Sequence, residues 1–287
     1  MFAELLSEIA SPFIEMDLWI IHRLNALAGN RVIDGFIGFA SGSKFLRGMV
    51  PLAIYWFLWF TADPCRRSER RAILAAGCCA SLVAIVIART IAHVFPDRPR
   101  PFADPTTGFH PVFDVSRGDF EDWTSAFASD TAAFEFALAW SLLRTCPGCG
   151  KFLLVYGLLV ACLPRIYIGV HFPSDIYVGA LAGVLAAILV QRRFVLKALE
   201  KAINRYGLRP LFYAFAFVFT CELALLFANI RDARKALREI LRLTLEPDEF
   251  NALVLLSFLG VTILCIVILV LRPLARASTT NSVRRNF

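Results

Sequence analysis

Polar residues interrupt this chain only at intervals, and the stretches between them are long and apolar. Several runs of roughly 18 or more apolar residues are long enough to cross a bilayer as helices. They predict spans near residues 46–62, 73–95, 127–143, 152–170, 176–191, 209–229 and 251–271. Residues 3–27 are amphipathic, which fits either a helix lying at the interface or a further span. Between the last two spans, Ile230, Ala233, Leu237, Ile240 and Leu241 fall at helical spacing. That linker (230–250) reads as an interfacial helix or as a solvated amphipathic connector. The pattern predicts an all-α, polytopic membrane bundle. It divides into an N-terminal amphipathic segment (1–45), a membrane core (46–192) and two additional transmembrane helices with a basic tail (193–287).

Composition agrees with a membrane protein. The 287 residues are 58% hydrophobic and 18% charged, whereas a soluble domain carries about a quarter charged residues. The acidic N-terminus, MFAELLSEIASPF, lacks the basic start of a cleaved signal peptide. The basic loops 63–71, 144–151 and 192–209 and the basic tail all fall on one side of the expected spans. The positive-inside rule makes that side cytoplasmic. The net charge of +7 then reflects topology and contact with anionic headgroups rather than nucleic-acid binding, because the charges sit in separated loops. The acid-rich loop 101–125 and the stretch Arg165–Asp175 fall on the opposite face, the periplasm or exterior of a cell (inner) membrane. Eight cysteines are scattered through spans and loops, which is not a disulfide framework. The single CPGC, Cys146 to Cys149, has no second pair to complete a zinc site and reads as reduced loop thiols. No cluster has metal-ligand spacing, and neither a metal nor another cofactor is expected.

Chemistry concentrates where the apolar runs break. In RIYIGVHFPSD, Arg165, His171 and Asp175 sit close together, and charged groups at such depth usually mark function. Pro173 suits the first turn of a helix. His171 then lies at the helix mouth with Asp175 about one turn on. A carboxylate there can accept the Nδ1 proton and leave Nε2 as nucleophile or base. Arg165 ends the preceding span on the same side, and a guanidinium can grip a phosphate with two parallel hydrogen bonds. A buried structural ion network is the alternative for an isolated His–Asp pair. Two more polar patches reach the same face. One is His93-Val-Phe-Pro-Asp-Arg98-Pro-Arg100-Pro, whose prolines stiffen the backbone presenting the arginines. The other is Ser129-Asp130-Thr131 at a helix start, where free N–H groups favour anions. Three patches on one membrane face describe a phosphate pocket.

These residues resemble the type 2 phosphatidic acid phosphatases, whose fold is shared with vanadium haloperoxidases. Three motifs carry the resemblance, over roughly residues 30–192. The family's Lys, six residues, Arg-Pro is matched by Arg100-Pro101 with His93 at the lysine position. Its Pro-Ser-Gly-His is matched by Ala128-Ser129-Asp130-Thr131. Its Ser-Arg, five residues, His, three residues, Asp is matched by Pro164-Arg165, His171 and Asp175. The resemblance implies that His171 becomes a phosphohistidine, that Asp175 orients it, and that Arg165, Arg100, His93, Ser129 and Asp130 bind phosphate. Arg98 is a possible additional phosphate ligand. Thr131 occupies the position of the family's general-acid histidine, and threonine cannot deliver a proton in that way. General acid catalysis is worth about 10²–10⁴-fold. Two functions follow. One is a membrane phosphatase or phosphotransferase acting on a lipid phosphate or, preferentially, a polyprenyl diphosphate. The other is a non-catalytic membrane protein of the same fold that binds such lipids.

Overall fold

The computed structural model describes residues 2–61, 64–94, 98–112, 125–206, 209–230 and 232, with residues 2–11 as backbone alone. The span expected at 251–271, most of the 230–250 connector and the basic tail lie outside the described residues.

The described chain is all-α. Its helices are α1 (Phe2–Asn25), α2 (Arg31–Gly42), α3 (Val50–Phe60), α4 (Arg67–Val94), α5 (Asp130–Leu142), α6 (Pro147–Tyr156), α7 (Leu163–Tyr167), α8 (Pro173–Val190), α9 (Arg193–Tyr206) and α10 (Pro210–Ala224). Several boundaries follow from local chemistry. Pro147, Pro173 and Pro210 open α6, α8 and α10, where a missing N–H costs nothing. Asn30 caps α2 by accepting from the Val32 and Ile33 N–H groups at 3.0 and 3.3 Å. A π-helical stretch, Gly157–Cys162, joins α6 to α7, so residues 147–167 run as one rod. That rod stops short of the expected residue 170 because Gly169 turns the chain at φ 75. A Cβ there would also press into the Phe109 ring at 2.6 Å.

Among the described residues, three helices are long and apolar enough to cross a membrane. They are α4 with 28 residues, the 147–167 rod with 21 and α8 with 18. Apolar side chains such as Val155, Leu158, Leu181 and Leu185 stay exposed on their outer surfaces, as lipid-facing residues do. The chain is an integral membrane protein. The spans expected at 46–62 and 209–229 appear as the shorter apolar stretches Phe45–Phe60 and Pro210–Ala224. The span expected at 127–143 is the 13-residue α5, walled in by its neighbours.

α4, α5 and α8 form the centre of the bundle. Their shared surface is built from small residues: Ala80, Ala84 and Ala88 on α4, Ala133 and Ala137 on α5, Ala186 and Ala187 on α8. Without a hydrophobic drive between helices in lipid, small side chains gain packing by letting backbones approach. Gly179 and Gly183 mark the closest approach, since a Cβ on either would collide with the Ser129 or Ala133 carbonyl oxygen of α5. This contact fixes the α5 and α8 N-termini side by side. The end of α7 and the loop through Arg98 and Arg100 join them there, and buried Arg100, Ser129, Thr131, Arg165, His171 and Asp175 collect at that end.

Candidate active site

His171 sits in the short turn between α7 and α8 and is buried. Its backbone is pinned, because the His171 and Val170 N–H groups donate to the Arg165 carbonyl at 3.3 and 2.9 Å. The ring Nδ1 lies 2.9 Å from the Ala126 carbonyl oxygen. A carbonyl only accepts, so Nδ1 carries the hydrogen and Nε2 keeps its lone pair. Asp175 Oδ2 stands farther from Nδ1, at 3.9 Å. The carboxylate instead accepts from the Phe172 N–H at 2.7 Å and from Arg98 Nη1 at 2.8 Å. It therefore closes the first turn of α8 and reaches His171 only at long range. Burial, and then the positive charges of Arg165 and Arg100, hold the imidazole well below the ordinary histidine range. The ring is neutral at neutral pH.

Arg100 and Arg165 are both buried, each 6% exposed. Arg100 Nη1 donates to the Val170 carbonyl at 2.8 Å, which ties the first-motif loop to the turn carrying His171. Burial, with the Arg165 charge next, lowers Arg100 to about 10. It remains a cation at neutral pH, beside a second guanidinium. Two buried like charges favour an anion between them, and a planar guanidinium fork matches phosphate oxygens.

The other residues of the expected pocket divide. Ser129 is fully buried and caps α5, its Oγ accepting from the Ala132 N–H at 3.4 Å while its own N–H donates to the Asp175 carbonyl at 3.0 Å. Asp130 accepts from Arg89 Nη2 at 3.2 Å, and Arg89 also donates to the Leu226 carbonyl. Thr131 is 1% exposed, and its Oγ1 has no hydrogen-bond partner among the described residues. Arg98 is committed on both terminal nitrogens, to Asp175 and Ser174 through Nη1 and to Asp17 through Nη2. His93 is exposed on the last turn of α4. Among the described residues no hydrogen bond joins it to the cluster.

Sequence reasoning missed Asp17, Arg89 and the Ala126 carbonyl. Asp17 left one signal: it stands four residues before Ile21, so the two share a helical face, and both are buried. Arg89 lies inside an apolar run, where an arginine is a functional candidate by cost alone. The carbonyl left none.

A neutral histidine with one free ring nitrogen beside two buried guanidiniums, in a membrane bundle, defines the class: an integral membrane protein with a site suited to phosphoryl groups. Residues 72–197 match the sequence model of the PAP2 superfamily. This match supports membership of the type 2 phosphatidic acid phosphatase superfamily, which implies phosphatase-type activity in general. Comparison with curated proteins and with solved structures gave no match.

Proposed function

We propose that the protein is a membrane phosphatase or phosphotransferase acting on a lipid phosphate through a phosphohistidine on His171, with polyprenyl diphosphates as preferred substrates. The observation carrying this reading is the Nδ1 bond to the Ala126 carbonyl, 2.9 Å long, which leaves the Nε2 lone pair available in a buried cationic setting. Nε2 attacks the terminal phosphorus, the P–O bond to the lipid portion breaks, and the leaving oxygen carries away the bonding pair. Arg100 and Arg165 bind the phosphoryl oxygens and offset the charge that builds on them. Water, or an acceptor hydroxyl, then attacks the phosphorus; the P–Nε2 bond breaks with its pair returning to nitrogen, and the proton of the attacking oxygen passes to Nε2 or to solvent. The basic loops support an orientation with this site on the exterior or periplasmic face.

Thr131 determines the substrate preference. It offers no acid to a departing lipid alkoxide, whereas a lipid monophosphate leaves a diphosphate readily without one. Thr131 also favours the second reading, a non-catalytic lipid-phosphate binder. Purified protein given a polyprenyl diphosphate and a phosphatidic-acid-like monoester distinguishes the two. The enzyme reading expects phosphate release, faster from the diphosphate. Binding of both lipids with release from neither would support the binder instead.

A further inference from the structure

We propose that Asp17 of the N-terminal helix, outside the matched residues 72–197, is a positioning residue of the active site, acting with Arg98 to hold the start of α8 behind His171. Both carboxylate oxygens are engaged. Oδ1 accepts from the Ser174 N–H at 2.8 Å, and Oδ2 accepts from the Ser174 hydroxyl at 2.5 Å and from Arg98 Nη2 at 2.7 Å. Arg98 passes the connection on. Its Nη1 reaches Asp175 Oδ1 and Ser174 Oγ, each at 2.8 Å, and its guanidinium lies 3.9 Å above the Phe172 ring. Three of the four residues that follow His171 are thus gripped by one guanidinium and one carboxylate from elsewhere in the chain.

The chemistry is specific to these groups. The N–H of Ser174 belongs to the first turn of α8, where backbone donors lack helical acceptors. Asp17 supplies an acceptor from another helix, with a charge that suits the positive end of the helix dipole. Asp17 is 1% exposed, so its charge is stabilised by these bonds rather than by water. Two carboxylates share the one guanidinium, with Nη1 spending both hydrogens on Asp175 and Ser174 and Nη2 spending one on Asp17. Arg98 therefore acts mainly as a tie, and phosphate falls to Arg100 and Arg165.

The proposal rests on the phosphatase reading for its kinetic consequence but not for its structural one, and two measurements separate them. Asp17→Asn presents an amide N–H₂ or a single neutral oxygen to Arg98 and Ser174. In full-length protein in detergent, hydrogen exchange of the segment 169–176 should quicken by about tenfold or more, from loss of charge-assisted bonds. Exchange in α4 should be unchanged. With a polyprenyl diphosphate, kcat should fall by a similar factor at unchanged KM, and Arg98→Ala should do the same, while Arg100→Ala should raise KM. Combining Asp17→Asn with Arg98→Ala should add little to Arg98→Ala alone, since both break one network. If Asp17→Asn is not recovered folded, Ser174→Ala carries the same test, because it removes one bond to Asp17 and one to Arg98. Native exchange and native kcat in the folded variant would overturn the proposal, as would fully additive effects with Arg98→Ala. Faster exchange in a protein whose wild type releases no phosphate would uphold the positioning role and remove the phosphatase reading.

Discussion

At His171, the Ala126 carbonyl takes the Nδ1 bond expected of Asp175, and the Asp175 carboxylate holds the turn instead. Replacing Asp175 loosens the α8 start but leaves the tautomer its partner. The depressed proton affinity of His171 sets a pH expectation. A histidine of ordinary affinity loses its nucleophilic form as pH falls through about 6.5. His171, held lower by burial and by Arg165 and Arg100, keeps it, so kcat/KM should show no loss attributable to this ring at pH 6.5 and should fall only in stronger acid. The same shift has a stability sign. The unfolded chain takes up this proton near 6.5 and the fold resists it, so the contribution is complete above that pH and is lost as pH falls toward the folded value. Thermal melts in detergent below pH 6.5 should show the decline. Arg100→Ala and Arg165→Ala should weaken lipid-phosphate binding by about 1.5–3 kcal/mol per charge-assisted bond, roughly tenfold to a hundredfold, as read by KM. Thr131→His should raise monoester hydrolysis more than diphosphate hydrolysis, because only the poor leaving group lacks a proton. Equal gains would contradict the role given to Thr131.

The helices that carry these residues were legible in unequal measure. The α8 start was plain in the sequence because proline after His171-Phe172 has one common helical use. The spans through α4, α6–α7 and α8 were legible because long apolar runs leave few alternatives. The shortness of α5 was hidden, since Ala126, Phe127 and Ala128 extend the apolar run ahead of its Ser129 cap. His93 shows the limit of motif alignment. It stands at the lysine position in sequence, yet lies exposed on the last turn of α4. His93→Lys tests it directly, and an unchanged pH profile is the outcome this placement predicts. The α5–α8 contact gives another expectation. Gly179→Ala would drive a methyl group into the Ser129 carbonyl, and overpacking of this kind costs about 1–3 kcal/mol. The melting temperature should drop, and activity should drop with it, because Ser129 caps the helix that faces the site.

Across the whole molecule, the site is an assembly from distant parts of the chain. The Asp17–Ser174 bonds join residues 157 positions apart, and the Arg98–Asp175 pair spans 77. No local pattern encodes such pairings, so the N-terminal helix read as an amphipathic segment rather than as a contributor to the turn behind His171. The local motifs were visible because each keeps its residues within one short stretch of sequence. The central claim is that His171 Nε2 takes the phosphoryl group, and one measurement addresses it most directly. Full-length protein is mixed with a polyprenyl diphosphate labelled in its terminal phosphate, quenched within a turnover, and mapped for acid-labile, base-stable label. The account predicts label on the peptide containing His171, and neither label nor phosphate release in His171→Ala. Sustained phosphate release by folded His171→Ala would contradict it.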